Sequence, residues 1–112
     1  MYYQMYRKNV SDTLDAIFET QEQKLHEAGM VLAQVLEGDG LLYVFGCGHS
    51  HMLAEELFYR AWGLAPVYPI FETAAMLHEG AAKSSQIERM SGYAQHVIAR
   101  YPIGPKDCLL IA

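Results

Sequence analysis

Apolar residues recur at intervals of three and four along the opening stretch of the chain. Tyr3, Tyr6, Val10, Leu14, Ile17 and Phe18 form one stripe across residues 2–18, and Leu25, Ala28, Leu32, Val35 and Leu36 form a second across 21–37. That spacing predicts amphipathic helix, and the pattern leaves open whether it is two helices or one bent rod. Gly38-Asp39-Gly40 ends it, as glycine past a helix terminus does. The period then changes. Leu41-Leu42-Tyr43-Val44-Phe45 is continuously apolar between glycines, the mark of a strand buried on both faces of a parallel sheet.

Gly46-Cys47-Gly48-His49-Ser50 turns the chain, and Leu53, Leu57, Phe58 and Ala61 resume a helical stripe. A second short apolar stretch, residues 66–71, closes a strand–helix–strand unit, and Pro69 inside it places that strand at or near a sheet edge. Residues 72–78 and 86–100 read as helices separated by a loop over 80–85, residues 102–105 read as a turn, and 107–112 open a third buried strand. Parallel strands require cover on both faces. A chain stopping inside such a strand is expected to be a truncated domain or one completed by another copy.

Composition narrows the function. The chain has 112 residues, 52% hydrophobic, with formal net charge -5 and eight Lys plus Arg against thirteen Asp plus Glu. This is one globular unit without a basic patch, so neither nucleic acid nor an anionic membrane surface is an expected partner. No apolar run approaches a membrane span and the amino terminus lacks signal-peptide grammar, so a cytoplasmic location is expected. Cys47 and Cys108 are too few and too far apart for a disulfide framework or a zinc knuckle, and Cys108 is expected to be buried.

The strongest chemical signal is the loop after the first strand. Ligands in open α/β sheets bind outside the carboxyl ends of the strands, and a helix amino terminus offers free N–H groups to an anion. Gly46 and Gly48 let the backbone approach closely, and the Ser50 hydroxyl can face a phosphate oxygen, so residues Gly46, Cys47, Gly48, His49 and Ser50 are the candidate phosphate loop. The plainer reading makes Ser50 a helix cap and the glycines a tight turn. A dinucleotide site is the first competitor, with Glu72 where a ribose-binding acid would stand, but His51 occupies the position of the third glycine in GxGxxG.

His51, Glu55 and Tyr59 fall at i, i+4 and i+8 if the helix starts at Ser50, a stripe suited to proton transfer. Zinc is an alternative use of His51 and Glu55, with His78 the third ligand in view. Glu72, Lys83 and Ser84 fall on the expected ligand side after the second strand and are further candidates, while Glu56 and Arg60 read as a solvated pair. Trp62 and the tyrosines read as packing or as an oligomer interface.

The stretch LLYVFGCGHSHMLAEELFYRAWGLAPVYPI, preceded by helices and followed by GPKDCLLIA, resembles the amino-terminal half of a SIS (sugar isomerase) domain. It is most similar to an uncharacterised bacterial family related to phosphoheptose isomerases. The resemblance implies an α/β fold, a flavodoxin-like three-layer α/β/α sandwich with a parallel sheet, preceded here by two helices (residues 1–40) before a core over 41–112. It further implies a sugar phosphate ligand, homo-oligomers (dimer or tetramer) and no cofactor. Ser50 becomes the first phosphate-contacting serine. Glu55, Glu72 and His51 become the acid or base candidates of an aldose–ketose isomerase, unless the module only binds its sugar as a sensor. Two departures stand out. The second serine-rich loop of such domains would follow the strand at Cys108, past the last residue here. The histidine-x-x-x-glutamate metal pair of phosphoheptose isomerases falls on Glu56 and Arg60 in an ungapped match, so no metal is carried over.

Overall fold

The computed structural model describes residues 1–112, in two compact units, Met1–Gln34 and Val35–Ala112. Helix α1 (Tyr2–Glu37) forms the first, and its last residues belong to the second. It is one uninterrupted helix of 36 residues, which corrects the expectation of two. No glycine or proline stands between the two stripes, and Thr20, which could have broken the rod, instead donates its hydroxyl to the Ala16 carbonyl one turn back at 2.6 Å. No residue of α1 is buried, so Tyr3, Tyr6, Leu14 and Phe18 present their apolar surface outward.

The helix ends where the glycines predict, by a different division of labour. Asp39 takes the left-handed conformation (φ 57°), and the Gly40 amide donates to the Val35 carbonyl at 2.8 Å in a Schellman closure. Gly40 is required for another reason: a Cβ there would collide with the backbone carbonyl of Lys106. The chain then enters β1 (Leu42–Phe45), passes through a short 3₁₀ turn (Gly48–His51) into α2 (Met52–Leu57), and forms β2 (Val67–Ile70). A second 3₁₀ turn (Thr73–Ala75), α3 (Ala81–Ile87), α4 (Tyr93–Ile98) and β3 (Cys108–Ile111) complete it.

The sheet is parallel with order β2-β1-β3. Continuous apolarity put β1 at the centre, and Pro69 sits where its missing N–H is tolerated, on an edge strand bordered only by β1. Leu42, Tyr43 and Val44 are all buried although successive side chains point to opposite faces, so β1 is covered on both sides. On one face Tyr43 joins Ile70 and Val97 in the core, and Tyr43, Tyr68 and Tyr101 meet with ring centroids 5.4–6.3 Å apart. Helix α2 packs against β1 and β2. This is the α/β, flavodoxin-like arrangement expected from the sequence.

Four local expectations are corrected. Residues 72–78 yield only the turn Thr73–Ala75, and of the helix expected over 86–100 only the end of α3 and α4 are helical, separated by turns over 88–92 that end at Gly92 with φ 82°. The expected loop over 80–85 is instead the start of α3. Fourth, β3 is less enclosed among these residues than expected, with Leu110 and Ile111 37% and 66% exposed and Cys108 partly exposed.

Asp107 ties the entry of β3 to β1. Its carboxylate accepts from the Leu41 amide at 2.8 Å and the Gly104 amide at 2.7 Å, and these bonds hold its pKa below the ordinary value. A depressed folded pKa gives stability that is complete above the usual carboxylate range and lost as pH falls through the folded value. Asp107→Asn, which turns an amide donor toward one of two backbone N–H groups, is expected to lower the thermal midpoint by several degrees at neutral pH. The gap to the parent should close in acid; a gap independent of pH would contradict this account.

Candidate functional site

The site grows from the carboxyl end of β1. From there the chain goes to β2 on one side of β1 and later to β3 on the other, so the strand order reverses at β1, where open α/β sheets leave a crevice for ligand. Gly46 is buried at the strand end, and a Cβ on it would lie 2.5 Å from the Ser50 carbonyl group and 2.8 Å from the His51 nitrogen. Only glycine lets the helical turn fold back so tightly over its own strand. Gly48 serves through conformation, with φ +52° and open space around it.

These glycines present His49 and Ser50 to solvent, both exposed. The plainer reading of Ser50 as a cap does not hold, since neither helical turn receives a side-chain cap. Cys47 is partly buried beside a small cavity of about 110 Å³ that Phe45, Glu88, Tyr93 and Val97 also line. Burial and the nearby Glu88 carboxylate push its thiol pKa up, so it is a poor nucleophile.

His51 and Glu55 come together as the spacing predicted, with Nε2 2.9 Å from Oε1. The imidazole is only 2% exposed, its Nδ1 meets the Gly48 carbonyl, and its ring packs edge-on against His78 at 5.1 Å between centroids. Both ring nitrogens are thus engaged, and no three His, Cys, Asp or Glu side chains converge as a cation site would require. Tyr59 does not extend the stripe: α2 ends at Leu57 and Tyr59 lies in the left-handed region, 91% exposed.

Glu72 leaves the end of β2 and is largely enclosed. It accepts from the Tyr93 hydroxyl at 2.8 Å and from the Arg100 guanidinium. Burial raises its pKa, but these two bonds with the Arg100 charge outweigh that and hold it below its ordinary value. Sequence reasoning did not select Tyr93 or Arg100, which lie 21 and 28 residues away with no local signal linking them to Glu72. Lys83 pairs with Glu79 at 2.9 Å, and Ser84 is buried with its hydroxyl given to the Ala81 carbonyl. Both stand on α3, which packs against the Gly48–His51 turn. A cleft of about 610 Å³ between Phe58 and Ala65 begins past the far end of α2 from the loop and contains none of these groups.

A parallel α/β sheet with a glycine-bounded serine loop at its point of strand reversal defines the class of ligand-binding α/β domains that take their ligand at the strand ends. Within that class, the chain belongs to the SIS domain family, which it matches over residues 5–112. It is similar to a UPF0309 protein of Listeria monocytogenes (46% identical over 88% of this chain and 40% of the relative). It is also similar to UPF0309 proteins of Geobacillus kaustophilus (41%, over 95% and 42%) and Thermoanaerobacter pseudethanolicus (45%, over 95% and 44%). The chain therefore spans about two fifths of the length of these relatives. No helix is both long and apolar enough to cross a membrane.

Proposed function

We propose that this chain is the phosphate-holding part of a domain that binds a sugar phosphate and interconverts its aldose and ketose forms. The observation that carries the reading is Ser50, a hydroxyl displayed on a glycine-built loop at the strand reversal and capping neither helical turn around it. The loop amides of Gly48 and His49 with the Ser50 hydroxyl would take the phosphate oxygens, the Ser50 amide being given to the Cys47 carbonyl, and Lys83 is the cation on α3 that could turn from Glu79 to the same charge. Family membership supports the ligand class. The exposed apolar stripe of α1 supports assembly as a homo-oligomer.

For the reaction, a base removes the proton from the hydroxyl-bearing carbon beside the carbonyl and returns it to the carbonyl carbon, while the hydroxyl proton passes to the former carbonyl oxygen, with no net change in atoms or electrons. Glu55 is the better placed carboxylate, 55% exposed and braced by His51, whereas Glu72 is held ionised by Tyr93 and Arg100 and is the weaker base. A second reading, binding without turnover, draws support from the burial of His51 and the engagement of Glu72. Deuterium from solvent enters the bound sugar only if the first is right.

Ser50→Ala removes one hydroxyl from a charged ligand, a loss of roughly 1.5–3 kcal/mol or about 10- to 100-fold in affinity. Calorimetric titration with aldose and ketose phosphates should show that loss while the ligand-free thermal midpoint stays put. Unchanged affinity would remove Ser50 from the site.

A further inference from the structure

We infer that His51 is a positioning residue rather than a group that meets substrate: it braces the phosphate loop through one ring nitrogen and aims Glu55 through the other. This deepens the phosphate-site reading above and rests on it. The imidazole is 2% exposed, too deep for a ligand held on the exposed loop surface. Its Nδ1 meets the carbonyl of Gly48, an oxygen that can only accept, so that nitrogen carries hydrogen. Gly48 is the loop residue in the left-handed conformation, φ +52°. Fixing its carbonyl inward fixes the orientation of the peptide group whose N–H belongs to His49, one of the amides facing the phosphate.

The other nitrogen, Nε2, lies 2.9 Å from Glu55 Oε1, on a side chain that is otherwise 55% exposed. Since a carboxylate oxygen also only accepts, this contact is a hydrogen bond when Nε2 carries hydrogen as well, and in that form of the ring one carboxylate oxygen is anchored and the second left toward solvent. The edge of His78, 5.1 Å between ring centroids, limits rotation of the imidazole. A single buried ring thus ties together the phosphate loop, α2 and the segment that follows β2.

The two arms can be cut separately. Asn places its amide near the position of Nδ1 and Gln near that of Nε2, so His51→Asn keeps the Gly48 arm and His51→Gln keeps the Glu55 arm. Titration of the chain with inorganic phosphate is expected to give His51→Asn an affinity within about 3-fold of the parent and His51→Gln about 10-fold weaker, one lost hydrogen bond's worth. His51→Phe, which retains the ring but neither arm, should match His51→Gln. Equal affinities for the Asn and Gln variants would overturn the inference, and that comparison decides it even if His51→Phe fails to fold. Ser50→Ala, measured alongside, separates the causes. If it weakens phosphate binding while His51→Gln does not, the bracing role falls alone; if it has no effect, the phosphate site falls and the bracing role with it.

Discussion

Gly46→Ala is expected to abolish phosphate binding and to destabilise the fold more than any other change in the loop. The new methyl group would lie 2.5 Å from the Ser50 carbonyl group and 2.8 Å from the His51 nitrogen. These are backbone atoms of a helical turn, so no rotamer change relieves the clash and either the strand end or the turn must move. Overpacking of this kind costs roughly 1–3 kcal/mol, and more where backbone shifts, out of a total of about 5–15 kcal/mol for a domain. A shift in thermal midpoint on the order of 10 °C follows. Gly48→Ala is the control, because a Cβ there meets open space and pays only the left-handed penalty of about 1–2 kcal/mol. Thermal denaturation and phosphate titration of the pair check the ordering; equal behaviour would mean that close approach is not why Gly46 is glycine.

Ile70→Ala should cost about 2–5 kcal/mol, the range for emptying a packed core position. Ile70 is fully buried, lies beside Phe45 in the β1–β2 register, and packs with Tyr43 and Val97 from α4. The cavity would open where sheet and helix meet, and the tyrosine cluster around Tyr43 has little freedom to close it. Ile111→Ala deletes the same atoms from a strand-end residue that is 66% exposed, and should change stability by about 0.5 kcal/mol or less. Urea unfolding of both variants measures the contrast. A cost below about 1 kcal/mol at Ile70 would show that this face of the sheet is not tightly packed.

Much of this was legible from local pattern. The apolar run 41–45 gave a central strand, Pro69 an edge, and Gly46 with Gly48 the turn that carries Ser50, since each depends on steric rules acting within a few residues. The His51–Glu55 contact was readable too, because i, i+4 neighbours on helical turns meet. Periodicity failed where a turn interrupted it. Turns over 88–92 interrupt the helix expected over 86–100, and the departure of Phe58 and Tyr59 from helical backbone took Tyr59 off the stripe.

The sequence by itself determined the three strands, the parallel α/β class, the glycine turn that carries Ser50 and the family resemblance, because these follow from hydrophobic period, glycine stereochemistry and short-range spacing. Only the tertiary structure decided what each candidate could do. Burial turned His51 from a free acid or base into a ring with both nitrogens occupied. Tyr93 and Arg100, remote in sequence, claimed Glu72. Helix α3 drew Ser84 inward and left Lys83 outside. Accessibility and long-range hydrogen bonding depend on how distant segments pack, and no window of neighbouring residues contains that information.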